Sequence, residues 1–489
     1  MTTTTRRWGA RRSLQLVGVT VLGLLGALLG GGAASAATPP NLPPGPYDIA
    51  IHKFVQPATP TNLAHDGTAV NTAGLTPLAG VTYQIQLVNN VDLSTNAGWT
   101  TAGKLTVSSN GTVSDGTTTY TLGTGTTKVT DVNGLADFSG ITQMGVYVVT
   151  EVSAGSNQIT QLAPPFLVSV PLPTTGSAGW LSTVNVYPKN PTTSITKTVD
   201  DSAAHGLGDT VNWTVTAKVP NIPSGQDLTS FSLTDPLDSR LTYTPSSAVV
   251  TFTDAANNPV TLASGDYTVA LNGGTLTVTF TAQGLTNLKA HQGGTVKLAF
   301  ATTVNSIGSG TIQNTASVNV NNTSFPSSSV QTTWGAASIH KQDADTQKAL
   351  QGAVFSVYLS TADAAAGTNP VGVLVGGTKA TTFTTDASGN TTIPGLKTGT
   401  YYLVETQAPV GYQVAAGFTP SSPYTLTVQT GSVANAPVVQ VSDPPVPPFS
   451  LPLTGGSGAA MFLIGGIGLI SVAGGAALVR ARRKRGAQH

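Results

Sequence analysis

Along most of the chain apolar side chains recur at every second position, in short runs separated by Gly, Pro, Asn and Asp. That alternation predicts half-buried strands joined by turns, with few helices. Ile49, Ile51 and Lys53 share one face of the first such run, while Ala50 and His52 take the other. Ala337, Ile339 and Lys341 repeat the arrangement, and Ile195, Lys197 and Val199 form it again with Thr196 and Thr198 outward. Three predicted strands thus each set a lysine on an apolar face. Later runs do the same with acids, in Tyr147, Val149 and Glu151, in Tyr401, Leu403 and Glu405, and in Phe231, Leu233 and Asp235. Still later runs carry an amide or a second acid: Val184 and Val186 with Asn190; Ile312, Asn314, Ala316 and Val318; Val439 and Val441 with Asp443.

The glutamates also mark an internal repeat. One copy reads TDVNGLADFSGI over 130–141 and then GVYVVTE ending at Glu151; the other reads TDASGNTTIPGL over 385–396 and then GTYYLVE ending at Glu405. Upstream, Leu78-Ala-Gly80-Val-Thr-Tyr83 matches Leu350-Gln-Gly352-Ala-Val-Phe355, and Ile51-His52-Lys53 matches Ile339-His340-Lys341. Two copies of one strand-rich unit therefore flank a different middle section. The boundaries implied are 37–190, 191–334 and 335–450.

Composition sharpens this picture. Only 9% of the 489 residues are charged, far below the usual quarter, and Thr, Gly, Ser, Ala and Val take the place of the long charged side chains that helices favour. The near-balance of charge hides two basic ends. Arg6, Arg7, Arg11 and Arg12 precede an apolar run over 14–29 and Ala34-Ser35-Ala36, which reads as a signal peptide over 1–36. An apolar stretch over 459–479 is long enough to span a bilayer, and Arg480, Arg482, Arg483, Lys484 and Arg485 follow it, so 456–489 reads as a membrane segment with a cytoplasmic tail. Between these ends stand 13 Lys and Arg against 21 Asp and Glu, a net charge of about −8. No basic stripe offers itself to phosphates, so nucleic acid is not an expected partner.

There is no cysteine, which removes disulfides, thiolate metal sites and cysteine nucleophiles. An exported chain of this size then needs sufficient cores or another crosslink. The inward lysines suggest one. A lone inward lysine is ordinarily a strand end reaching back to water or half of an ion pair, but here lysine, acid and Asn/Asp recur in the same order three times. Desolvation disfavours the charged form of both amine and carboxyl. A neutral amine can attack a side-chain carbonyl carbon while a protonated acid binds the oxygen and shuttles protons. Lys–Asn condensation expels ammonia and Lys–Asp condensation expels water. The resulting amide would restrict the unfolded chain like a disulfide, by roughly 4 to 5 kcal/mol for a loop of about a hundred residues.

Several motifs resemble those of one family, the sortase-assembled backbone (shaft) pilins of Gram-positive bacteria. Trp180-Leu-Ser-Thr-Val184-Asn-Val186-Tyr187-Pro188-Lys189-Asn190 resembles the pilin motif; Leu451, Pro452, Leu453, Thr454 and Gly455 form a sorting signal of the LPxTG type; and Tyr402-Leu-Val-Glu405-Thr-Gln-Ala408-Pro409-Val-Gly411-Tyr412 resembles the E-box. The resemblance extends over nearly the whole chain. It implies an all-β fold of three tandem immunoglobulin-like β-sandwiches, of collagen-adhesin B-type, A-type and B-type, with intramolecular isopeptide bonds. Lys53, Glu151 and Asn190 fit the B-type pattern, and Lys197, Asp235 and Asn314 fit the A-type pattern. In the third domain Lys341 and Glu405 are clear, whereas Asp443 stands where asparagine is common, with Asn435 as the alternative acceptor. Glu151, Asp235 and Glu405 are the implied proton shuttles.

The resemblance also implies that a class C sortase joins the Thr454 carbonyl to the Lys189 amine of the next subunit. Alternation sets Lys189 opposite to Asn190, hence outward, which suits an intermolecular nucleophile. The Pro-rich stretch before Leu451 would hold the Thr454–Gly455 bond clear of the last domain. Implied partners are identical subunits, a housekeeping sortase, a minor or tip pilin, peptidoglycan and a host receptor or glycan, on a cell-wall-anchored surface pilus with a membrane-tethered precursor. A singly anchored or tip adhesin is the alternative, against which stand Lys189 and the lack of a large extra binding domain. An enzyme is not expected: no phosphate loop, HExxH or nucleophile elbow occurs. No cofactor or metal is expected either. The six histidines have no ligand spacing, and Asp343, Asp345 and Asp386 read as turn residues before calcium ligands.

Overall fold

The computed structural model describes residues 42–174 and 179–448. The expected signal peptide, the sorting signal with Thr454, and the apolar segment with its basic tail lie outside the described residues. Among the described residues short strands dominate, with three short α-helices, as the alternating pattern predicts. None of the described helices is long and apolar enough to cross a membrane.

In the first sandwich, strand Tyr47–His52 lies between Leu135–Ile141, antiparallel, and Thr183–Val186, parallel. The facing sheet runs Phe166–Val170, Gly145–Ser153, Thr82–Leu87, Thr126–Val129. Ile49, Ile51, Val81, Tyr83, Phe138, Val149 and Val184 fill the space between. Strand Gly145–Ser153 departs from simple alternation. Tyr147 and Val149 enter this core, but Val146 and Val148 are also buried, in a second cluster with Val88, Val91, Leu93, Leu105 and Val113. The excursion between Thr82–Leu87 and Thr126–Val129 supplies that cluster, so strand Gly145–Ser153 is covered on both faces.

The middle sandwich sets Ile195–Asp200, Thr210–Lys218 and Thr295–Val304 side by side against a sheet in which Phe231–Pro236 lies between Thr275–Phe280 and Ser317–Val320. Ile312, Asn314, Ala316 and Val318 are all buried, yet they belong to two ladders. Thr311–Asn314 pairs with the start of Val330–Asp343, and the chain then changes sheet to form Ser317–Val320.

A second compact unit begins at Trp334. In it Val330–Asp343 pairs antiparallel with Asn390–Lys397 and parallel with Val438–Asp443. Its facing sheet runs Phe383–Thr384, Val354–Tyr358, Gly399–Gln407, Tyr424–Val428. This reproduces the first sandwich, including the parallel pairing of first and last strands.

The repeated TD-turn has a specific task in both copies. Asp131 and Asp386 accept backbone N–H groups inside the turn, and Thr130 and Thr385 bridge to Leu78 O and Leu350 O. The turn ends on a glycine with positive φ whose carbonyl receives the lysine N–H, at 2.7 Å for both Gly134–Lys53 and Gly389–Lys341. A Cβ on either glycine would lie 2.3 Å from the lysine carbonyl oxygen, so the turn can clamp the lysine backbone only with glycine there. Gly389→Ala should lower stability of the third sandwich by about 2 kcal/mol or more. A denaturation midpoint equal to that of the unchanged protein would refute the clamp.

Candidate functional site

Each sandwich closes a lysine, an acid and an Asn or Asp on one another in its interior. In the first, Lys53 is fully buried because it leaves strand Tyr47–His52 on the inner face, held by Gly134. Its Nζ donates to Glu151 Oε2 at 2.9 Å and to Asn190 Oδ1 at 2.5 Å, and Asn190 Nδ2 donates to Glu151 Oε1 at 2.5 Å. Two groups not singled out in the sequence complete the site. Tyr83 Oη (3.4 Å) and Ala163 N–H (3.0 Å) both donate to Glu151 Oε2. Burial lowers the Lys53 amine to about 8, against the opposing pull of Glu151, and pushes the Tyr83 hydroxyl up.

In the middle sandwich Lys197 Nζ contacts Asp235 Oδ2 and sits 5.2 Å from the Trp213 ring centre and 5.1 Å from that of Phe300. Burial lowers Lys197 and raises Asp235, in each case against the attraction of the partner. Asn314 is buried beside them and within the influence of the Asp235 carboxyl, but its amide atoms and Asp235 Oδ1 lack well-formed hydrogen-bond geometry among the described residues. Unsatisfied buried polar atoms are costly and rare. Three meet at this one place.

In the third, Lys341 Nζ donates to Glu405 Oε2 at 2.7 Å and contacts Asp443 Oδ1, and all three residues are buried. The parallel register explains this: Lys341 pairs with Val441, and Asp443 follows on the same inner face. Asn435 lies exposed in the turn Val433–Asn435, away from the amine. Burial pushes Glu405 up to about 7, with Lys341 opposing and the Asp443 carboxyl adding to the rise. Phe355 replaces Tyr83 here, 5.9 Å from Nζ, so Glu405 has no phenol partner.

Lys189 differs from these three. The strand breaks at Tyr187-Pro188, and Lys189–Asn190 resumes as a short parallel pair with Phe54–Val55. Asn190 turns into the core, while Lys189 is half-buried rather than freely exposed. Its Nζ donates to Tyr187 O at 3.1 Å, burial lowers its pKa, and it lines a groove of about 220 Å³ with Gln161, Pro164, Tyr187, Pro223 and Gln226. Tyr187 is fixed by stacking on His52 at 4.9 Å, a role the alternation pattern does not reveal.

Among the described residues no group of three or more His, Cys, Asp or Glu could hold a metal. Asp343 is buried, and the Thr346 N–H, then Tyr412 Oη (2.7 Å) and the Asp345 N–H, hold its carboxyl at about 2. Asp386 caps its own turn.

These shifts give a pH dependence with a definite sign. Unfolded Lys53 keeps its proton up to 10.5 and folded Lys53 only to about 8. Between those values the folded protein binds fewer protons, so stability rises with pH and is lost as pH falls through about 8. Asn190→Ala, which leaves the amine without an acceptor, should melt at progressively lower temperature across that window. Asn190→Ala combined with Lys53→Met should lack the dependence, and superposable melting profiles for the two variants would contradict it.

Three family models match parts of the chain. Residues 45–191 match the model of the Gram-positive pilin subunit D1 N-terminal domain, 188–334 that of the cell surface antigen I/II C2 terminal domain, and 335–438 that of a prealbumin-like fold domain. The chain is 30% identical to the fimbrial subunit type 2 of Actinomyces naeslundii over 89% of its own length and 90% of that protein. It is 29% identical to the fimbrial subunit type 1 of Actinomyces viscosus, over 97% and 98%. Among solved structures, the full-length major pilin SpaD of Corynebacterium diphtheriae aligns with a TM-score of 0.62 at 27% identity, covering 82% of this chain and 98% of that one. With the fold, the repeat and this similarity over nearly full length, the chain belongs to the Gram-positive fimbrial subunits, the pilin family.

Proposed function

We propose that the chain is the shaft-forming structural subunit of a covalent surface pilus, stabilised by one self-formed amide crosslink in each sandwich. The observation that carries the crosslinks is the threefold recurrence of a buried amine against a buried acid and an Asn or Asp. The neutral amine, which burial favours at Lys53 and Lys197, attacks Cγ of Asn190, Asn314 or Asp443. Glu151, Asp235 or Glu405 passes the proton from nitrogen to the departing ammonia or water. Each bond would join the first-strand end to a late strand, 137 residues away for Lys53 and Asn190. Tension entering at one end of a sandwich would then pass through a covalent link without unfolding it.

Assembly uses a separate pair. A class C sortase cleaves Thr454–Gly455 and holds Thr454 as a thioester; the Lys189 amine of the next copy displaces the thiol and forms the intersubunit amide. Support comes from the LPLTG sequence and from the half-buried Lys189, whose lowered pKa raises the neutral fraction available for attack. A housekeeping sortase would attach the fibre base to peptidoglycan, and adhesion or biofilm formation would follow from the fibre's reach.

Intact mass of a 37–450 fragment should fall short of the sequence mass by two ammonias and one water; an unmodified mass would refute the crosslinks. Incubation of the chain with its class C sortase should give a ladder of covalent polymers that Lys189→Ala abolishes. A ladder surviving that change would remove Lys189 from the reaction.

A further inference from the structure

The loop after the acid strand of the third sandwich folds over Asp443. Tyr412 N donates to Pro409 O at 3.1 Å with Gly411 at φ 91°, a type II turn. Gln413 N donates to Pro444 O at 3.0 Å and Val446 N to Gly411 O at 2.9 Å, so the loop is tied to the chain just beyond Asp443. Tyr412 Oη fastens it again, to Asp343. Held in this way, buried Ala415 donates its backbone N–H to Asp443 Oδ1 at 2.9 Å. Asp443 Oδ2 and Glu405 Oε1 receive no N–H or hydroxyl donor among the described residues, and the two carboxyls interact with one another. The acceptor carboxyl is therefore addressed unevenly: Oδ1 meets the backbone donor and the amine, and Oδ2 is left free to depart.

Neither of the other acceptors has such a donor among the described residues. Asn190 Oδ1 meets Lys53 Nζ, and the Asn314 amide atoms lack well-formed hydrogen-bond geometry. In the first sandwich the corresponding loop points its N–H, from Ala163, at Glu151 instead. We propose that the Ala415 N–H is the oxyanion-stabilising donor for amide formation between Lys341 and Asp443, an inference that rests on the crosslinking reading above. Lys341 Nζ, its lone pair freed by passing a proton to Asp443 Oδ2, attacks Cγ, and the carbonyl electron pair moves onto Oδ1, where Ala415 N–H meets it. The pair then returns, Oδ2 leaves with its own proton and one from Glu405 as water, and Glu405 recovers a proton from the attacking nitrogen. Amine and carboxylic acid become amide and water with no co-reactant. Oδ1 remains as the amide oxygen, still facing Ala415.

A preorganised donor of this kind is worth about 10²- to 10³-fold in rate. Ala415→Pro deletes the N–H, whereas Val410→Pro alters the fully exposed second position of the type II turn, where proline is favoured. Peptide mapping of the full chain at successive times after isolation follows the Lys341–Asp443 link. Ala415→Pro should accumulate it at least about 10²-fold more slowly than the unchanged chain, and Val410→Pro should match the unchanged chain; equal rates for Ala415→Pro would overturn the proposal. Hydrogen exchange of the Ala415 amide in the unchanged chain gives a check independent of how the proline variant folds. Strong protection is expected, and exchange at the rate of exposed loop amides would overturn it. An unchanged chain with no Lys341–Asp443 link would overturn the crosslinking reading and this inference together.

Discussion

Removing an ammonium group from water costs several kcal/mol unless a close, well-formed partner compensates, and all three sandwiches place a lysine in that position. Lys53 and Lys341 are wholly buried and Lys197 nearly so, each among aromatic rings and beside a carboxyl. The compensation differs from site to site. Glu151 accepts four hydrogen bonds, from Lys53, Tyr83, Ala163 and Asn190. Glu405 keeps an oxygen without a well-formed hydrogen bond among the described residues, as does Asp235. The arrangement that most satisfies charge is thus the first.

The surrounding architecture follows from holding those groups in register. In the two outer sandwiches, pairing the first and last strands in parallel sets the lysine of one beside the Asn or Asp of the other, and the acid comes from the middle of the facing sheet. The TD-turn fixes the lysine backbone from the third side through Gly134 or Gly389. The repeated motif is therefore the part of the sandwich that sets lysine depth, which accounts for its recurrence in two otherwise divergent copies.

Under the assembly proposed above, Lys189 faces the opposite requirement. An amine that must meet another molecule cannot be sealed in a core, yet a fully hydrated ammonium is a poor nucleophile. Half-burial against the Tyr187 carbonyl lies between these limits. Its neighbour Asn190 is wholly enclosed, so one peptide unit divides the interior of the sandwich from its surface.

Much of this was legible in the sequence because strand alternation has a period of two, so a lysine two positions from an isoleucine must share its face. That rule alone set Lys53, Lys197 and Lys341 inward with Glu151, Asp235 and Glu405, and the repeat of the TD-turn tied the outer sections together. It reached Asn190 by counting through what is in fact a broken strand at Tyr187-Pro188, and it set Asp443 inward with Val439 and Val441, Asn435 remaining the alternative only because the resemblance favours asparagine at that place. Periodicity says which way a side chain points along one strand; it does not say which strands become neighbours. The parallel register that brings Asp443 to Lys341, the donors Tyr83, Ala163 and Ala415 reaching in from loops and the facing sheet, the second cluster behind Gly145–Ser153, and the groove around Lys189 all arise from contacts between segments far apart in the chain. Only the folded structure decides those, because they depend on where backbone groups lie in space and not on the character of any one residue.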